Sequence, residues 1–343
     1  MDTAIAEFLA RTASEEVVDV EEEAFYLFSQ EISTPNLGFV DSRAPTLDVQ
    51  IGGNEYTVHQ SPSLLSSSRA GGTTGAVLWK ITPCFAEWIS SPSNPLWTHS
   101  LLSEHSVVAE LGCGISALVA LALSPSVHHY LATDQEYVRR LFRTNIEANS
   151  FVSRVTPAAA AAAAAAGKSK GSKPKHSGKP PPKGKPIAQP SASNITFTTL
   201  DWEHDQPARL KACIRSESTG RGVLARDERE KVGDDEDLGF DLLLSCDCVY
   251  NDALVAPFVR TCAEICRLRP CFGSRGSRGP QAASRPTVCI VAQQQRAPDV
   301  FETWLRETLR EFRVWRLSDE VLGDRLKGGT GYLVHLLLAR ADN

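Results

Sequence analysis

The sequence has no run of eighteen apolar residues, which excludes a membrane-spanning helix, and its opening Met1-Asp2-Thr3-Ala4-Ile5-Ala6-Glu7 is acidic where a secretory leader is basic. It has no Cys-x-x-Cys pair either. The nine cysteines, at 84, 113, 213, 246, 248, 262, 266, 271 and 289, are odd in number and scattered, and several sit inside apolar runs. That usage predicts a reducing compartment, the cytoplasm or the nucleus, rather than a disulfide framework. Cys262 and Cys266 lie one helical turn apart with Cys271 beyond, but no further ligand completes a tetrahedral site. Buried thiols and no metal are expected.

What is present is a globular composition. The 343 residues are 42% hydrophobic and carry 36 Lys+Arg against 41 Asp+Glu, for a formal charge of -5. Three stretches interrupt the pattern. Residues 153–193 hold nine consecutive alanines, Ala158 to Ala166, and then seven lysines among Gly, Ser and Pro with no acid. Residues 216–237 mix eight acids with four bases, and residues 272–285 are rich in Gly, Ser and Arg. None of the three can bury much, so all read as solvated insertions. Setting the seven lysines aside takes the charge from -5 to -12. The folded body is therefore acidic and would attract a basic partner, whereas nucleic acid would meet only the lysine loop.

Between the insertions, strand and helix patterns alternate. Residues 46–51 and 56–60, joined by Gly52-Gly53-Asn54-Glu55, predict a β-hairpin. Apolar residues at 77, 78, 81, 85, 88 and 89 recur at helical spacing. Strands follow at 106–111 and 129–134, with helices at 115–124 and 136–149, which makes two successive βα units. Further strands are expected at 195–200, 240–245, 287–292, 313–317 and 332–339, with helices at 254–268 and 299–311. Such alternation predicts an α/β fold: a doubly wound, mostly parallel seven-stranded sheet with the last two strands antiparallel. An N-terminal extension, residues 1–70 with the hairpin, precedes one domain at 71–343.

The chemistry concentrates at strand ends. Glu110-Leu111-Gly112-Cys113-Gly114 closes the first strand of the domain, where glycines let a ligand approach backbone and a following helix N-terminus offers free N–H groups. The spacing Gly112-x-Gly114-x-x-Ala117 also fits a dinucleotide fingerprint, so the carboxylates decide. Glu110 would repel a pyrophosphate but tolerate the ammonium and sulfonium of S-adenosylmethionine. Asp134 ends the next strand, twenty residues past Gly114, where an acid can accept both ribose hydroxyls. A turn with a capping aspartate is the structural alternative. Asp201-Trp202 ends the third strand, placing an aromatic for adenine. The fourth ends Cys246-Asp247-Cys248-Val249-Tyr250, with Cys246 and Asp247 expected beside the transferable methyl. There Asp247 would orient an amine nucleophile and Tyr250 would face its ammonium. The bland alternative makes Asp247 a turn cap and Tyr250 a core residue.

These residues, with Gly72-Thr73-Thr74-Gly75-Ala76-Val77-Leu78-Trp79, resemble the seven-β-strand protein-lysine methyltransferases of the methyltransferase 16 group over residues 47–340. Within that group the leading hairpin, His59-Gln60-Ser61 and the Gly-Thr-Thr-Gly-x-x-x-Trp-Lys stretch are most similar to the fungal enzymes acting on ribosomal lysines. The resemblance implies a Rossmann-like class I S-adenosylmethionine-dependent fold, with cofactor contacts from Trp79, Gly112, Cys113, Gly114, Asp134, Trp202 and Cys246. It further implies a lysine of a basic large-subunit ribosomal protein as acceptor. Other protein substrates, such as a translation factor or a chaperone, remain alternatives, as does a catalytically silent ribosome-binding module. A nicotinamide oxidoreductase is disfavoured by Glu110 and by the lack of an evident Tyr-x-x-x-Lys or His/Asp hydride-transfer set. The chain is expected to act as a monomer, with a weak ribosomal RNA contact through the lysine loop.

Overall fold

The computed structural model describes residues 3–12, 14–33, 37–67, 73–150, 194–218, 239–269 and 285–340. The alanine-lysine stretch, most of the other two insertions, Gly72 and Cys271 fall outside the described residues.

The sheet is built as the alternation requires. Strands β4 (Val107–Leu111), β5 (His129–Asp134) and β6 (Ile195–Thr199) run parallel in that spatial order, and β7 (Leu242–Cys246) and β8 (Val288–Gln294) extend the parallel set on the other side of β4. β10 (Tyr332–Ala339) is antiparallel to both β8 and β9 (Phe312–Arg316). Strand alternation sorts side chains to two faces. Val108, Tyr130, Leu244, Ile290 and Leu336 pack in one core cluster with helices Ile81–Ser90 and Leu118–Leu123. Ala109, Leu131, Leu243, Val291 and Leu337 pack in the other, with helices Asp252–Arg267 and Pro298–Glu311.

The strand count differs from expectation. The N-terminal segment carries helix α1 (Thr3–Arg11), strand β1 (Glu15–Val17) and helix α2 (Val20–Phe28), and β1 pairs antiparallel with β9, giving eight strands in the order β1-β9-β10-β8-β7-β4-β5-β6. Three residues with only Val17 buried leave no periodicity to read. Their hold is non-local: Glu16 pairs with Arg313 at 2.7 Å, and buried Glu23 accepts from Arg316 and lies 3.1 Å from His335 Nε2. A helix at Leu210–Ser218, not expected from the sequence, lies on the connection from β6 to β7.

The hairpin β2 (Thr46–Ile51) and β3 (Asn54–His59) forms as expected but outside the main sheet. Two buried amides on helix Arg139–Ala148 and its cap clasp β3. Asn145 bonds both the N–H and the carbonyl of His59, and Asn149 does the same for Thr57. Each side-chain amide satisfies a donor and an acceptor that a neighbouring strand would otherwise supply. Gln60, just past β3, donates to the carbonyls of Asp41 and Ala44 and accepts from Leu78 N–H, which fixes the segment leading to Trp79.

Candidate active site

The parallel sheet reverses its winding between β4 and β7, and a cavity opens beyond the C-terminal ends of β4, β5, β6 and β7. That is where open α/β sheets bind ligands. Its lining includes all ten residues singled out from the sequence: Trp79, Glu110, Gly112, Cys113, Gly114, Asp134, Trp202, Cys246, Asp247 and Tyr250.

The floor is the glycine turn. Gly112 and Gly114 adopt φ of 64° and 60°, a region in which a side chain is strained. Contact demands glycine as well: a Cβ on Gly112 would lie 2.3 Å from Cys248 Sγ. Gly75 closes the turn from the opposite side, its carbonyl accepting from Ile115 N–H at 3.0 Å. The following helix starts at Leu118, three residues later than expected, after Ala117 at φ 58°. With only six helical residues, it is the extended turn rather than a long dipole that faces the cavity.

Two carboxylates stand at this end. Glu110 is 2% exposed, and its Oε2 accepts from Tyr130 Oη at 2.8 Å. Burial pushes its carboxyl up to about 8, partly offset by the tyrosine hydrogen bond and reinforced by Asp134. Asp134 accepts from Gly114 N–H at 2.8 Å and from Gln135 N–H at 2.6 Å. Burial raises it to about 6 against those two bonds. Asp134 therefore ties β5 to the glycine turn, as the capping reading has it, and also lines the cavity. No cationic side chain among the described residues pairs with either acid.

Trp79 and Trp202 flank the cavity. Trp79 is held by a hydrogen bond from Nε1 to Thr74 O at 3.1 Å and by Phe39, 4.2 Å between ring centroids. Trp202 packs edge-on to Phe258 at 5.1 Å, and its carbonyl accepts from Arg260. Cys113, Cys246 and Cys248 surround the turn as thiols pushed up chiefly by burial. Asp201, Glu203 and His204 cluster at the exposed rim.

Asp247 departs from its expected setting. Its side chain is 2% exposed and forms a two-pronged ion pair with Arg296, Nη1 to Oδ1 and Nη2 to Oδ2, both at 2.6 Å. Sequence reasoning missed Arg296. It lies 49 residues away, just past β8, and no local spacing links the two. Tyr250 is 37% exposed at the mouth rather than in the core.

No protein-family model matches the chain. Among curated proteins it is similar to "Ribosomal lysine N-methyltransferase 5" of Zygosaccharomyces rouxii, 26% identical over 271 residues, covering 76% of this chain and 72% of the relative. The protein of the same name from Candida glabrata is 25% identical over 329 residues, covering 81% and 84%. A shorter match, 35% identical over 135 residues, is to the "Diaminohydroxyphosphoribosylamino-pyrimidine deaminase" of Schizosaccharomyces pombe; it spans 39% of this chain and 32% of that protein. The present sequence has neither the His-x-Glu nor the Cys-x-x-Cys element of zinc-dependent base deaminases.

Proposed function

We propose that this protein is an S-adenosylmethionine-dependent protein-lysine N-methyltransferase acting on a basic large-subunit ribosomal protein. The observation that carries the reading is the cofactor end of the cavity: a glycine turn in which Gly112 leaves no room for a Cβ, framed by the buried Glu110 and the half-buried Asp134, neither with a cationic partner among the described residues. An ammonium beside a sulfonium would supply the missing charge, whereas a pyrophosphate would meet two acids. Similarity to ribosomal lysine methyltransferases along most of the chain supports the same substrate class.

When bound, S-adenosylmethionine supplies an electrophilic methyl group. The chain's residues do the rest by placement. Glu110 and Asp134 hold the positive and hydroxyl-bearing parts, Gly112 to Gly114 admit the ligand to backbone distance, and Trp79 and Trp202 supply flat apolar walls. Cys246 borders the reacting end. Catalysis of this kind rests on holding two reactants in line and excluding water more than on strong acid or base help.

No helix of the described residues is long and apolar enough to cross a membrane. On this reading the protein acts as a monomer in the cytoplasm or nucleus. The seven lysines of residues 153–193 would add a weak ribosomal RNA contact. Incubation with methyl-labelled S-adenosylmethionine and isolated large-subunit proteins, followed by mass spectrometry of the labelled band, tests the assignment. A methylated lysine supports it; label on another residue type, or tighter binding of NAD than of S-adenosylmethionine, overturns it. Replacing residues 158–186 with a Gly/Ser linker should lower activity on whole particles at low salt and spare activity on the isolated protein if the lysines touch RNA.

A further inference from the structure

A cation, Arg296, adjoins the acceptor end of the cavity. Asp247 Oδ1 accepts from Arg296 Nη1 at 2.6 Å and from Gln294 N–H at 3.1 Å, while Oδ2 accepts from Arg296 Nη2 at 2.6 Å. Its backbone is locked too, at φ 65° with its N–H on Ala292 O at 2.7 Å. The Asp247 side chain is 2% exposed and that of Arg296 24%. Arg296 lies over the ring of Trp79, 4.7 Å from its centroid, and Trp79 lines the main cavity. Arg296 also lines a smaller adjoining cavity with Phe28 and Tyr250, and Tyr250 borders both. Of the two paired side chains the cation is therefore the more open, and it faces the adjoining cavity, while Asp247 borders the main one with its carboxylate covered.

We propose, on the reading that the protein methylates lysine, that the acceptor amine meets Arg296 and that Asp247 is a positioning residue which clamps the guanidinium across the mouth. A fixed cation disfavours an ammonium at short range, so the acceptor enters as the neutral amine with its proton left in water. Its lone pair is then free to form the N–C bond while the C–S pair stays on sulfur. The methylated nitrogen is again cationic, and the same guanidinium favours its departure. A two-pronged pair also keeps Arg296 from swinging onto Glu110 or Asp134. The titratable groups around the pair are Cys246, Cys248 and Tyr332, each pushed up chiefly by burial and so held in its uncharged form, and Tyr250 at the mouth.

The test is a mutant cycle read as a pH profile. The wild type, Arg296→Met, Asp247→Asn, the double variant and Arg296→Lys are assayed with tritiated S-adenosylmethionine and acid-extracted large-subunit ribosomal protein. Unfolding midpoints and cofactor affinity by calorimetry are measured alongside. Asp247→Asn should lower turnover about tenfold or more with cofactor affinity unchanged. Removing the cation should move the acid limb of the turnover profile up by about one pH unit, in Arg296→Met and equally in the double variant, whose neutral pair keeps the fold intact if the single variant unfolds. Within the Arg296→Met background, Asp247→Asn should cost nothing further, and Arg296→Lys should keep the wild-type acid limb. An equal loss from Asp247→Asn in both backgrounds would mean that the carboxylate acts on the amine itself. An unmoved acid limb in both cation-free variants would make the pair purely structural. Either result overturns the inference, and absence of transfer by the wild type overturns the lysine-methylation reading and the inference with it.

Discussion

The two ends of one cavity treat negative charge in opposite ways. At the glycine turn, Glu110 and Asp134 are held by a tyrosine hydroxyl and by backbone N–H groups, with carboxyls pushed up to about 8 and about 6 by burial. At the mouth, Asp247 is nearly as inaccessible but has a guanidinium on both oxygens. An acid buried without a counter-ion is strained towards its neutral form, and a cationic ligand relieves that strain. An acid that brings its own counter-ion gains nothing from a second one. The contrast assigns the ligand's charge to the first end and the protein's charge to the second.

Breaking the compensated end should have the largest effect on stability. Arg296→Met leaves Asp247 charged and buried alone, which should cost about 3–5 kcal/mol in denaturant unfolding. Adding Asp247→Asn should return most of it, because no unpaired charge then remains. A single variant as stable as the wild type would show that the pair contributes no more than a surface ion pair.

At the uncompensated end the tightest steric restraint is Gly112. Gly112→Ala places a Cβ against Cys248 Sγ at a backbone angle that only glycine adopts easily, so a loss of about 2–4 kcal/mol in unfolding and failure to bind cofactor are expected. Trimming the obstacle in Gly112→Ala/Cys248→Ala should recover part of the stability, leaving the cost of the backbone angle. Recovery of none would place the clash elsewhere.

Asp134→Ala removes both a cavity-lining acceptor and the tie to Gly114 N–H. S-adenosylmethionine binding should weaken by about 1.5–3 kcal/mol by calorimetry. Unchanged affinity would reduce Asp134 to the capping role alone.

The smallest effect is the most diagnostic of charge. Glu110 is protonated in the free protein below about 8. Its folded-state value lies above its unfolded one, so the stability it contributes is greatest at acid pH and is lost as pH rises from about 4.5 towards 8. A cation bound beside it favours the ionised form. Affinity should then climb as pH rises to about 8 and level off, with proton release seen as a dependence of the binding heat on buffer. Glu110→Gln should flatten both trends. A wild-type affinity that does not vary across this window would break the contrast between the two ends.

Much of this was legible because it is local. The ends of β5 and β10 fell at the expected residues, since short apolar runs bounded by turns carry their own signal. Nine of the ten cavity residues were also legible, because each sits at or just past the end of a strand whose place in a doubly wound sheet follows from chain order, whereas Trp79, ahead of helix Ile81–Ser90, came from the resemblance. Strand β1 was not. It is three residues held by arginines about 300 positions away, so no local window contains its reason to be extended. Asn145 and Asn149 were equally silent, since their role as a substitute strand edge exists only once helix and hairpin meet.

By itself the sequence determined the alternation of elements, the glycine turn and the presence of acids at four strand ends. Those are properties of neighbouring residues, and secondary-structure periods and turn chemistry are set over a few positions. Only the tertiary structure decided which acids would lack a counter-ion. A carboxylate's state depends on burial and on charges within a few ångströms, and here the deciding cation, Arg296, reaches Asp247 from the loop that follows β8.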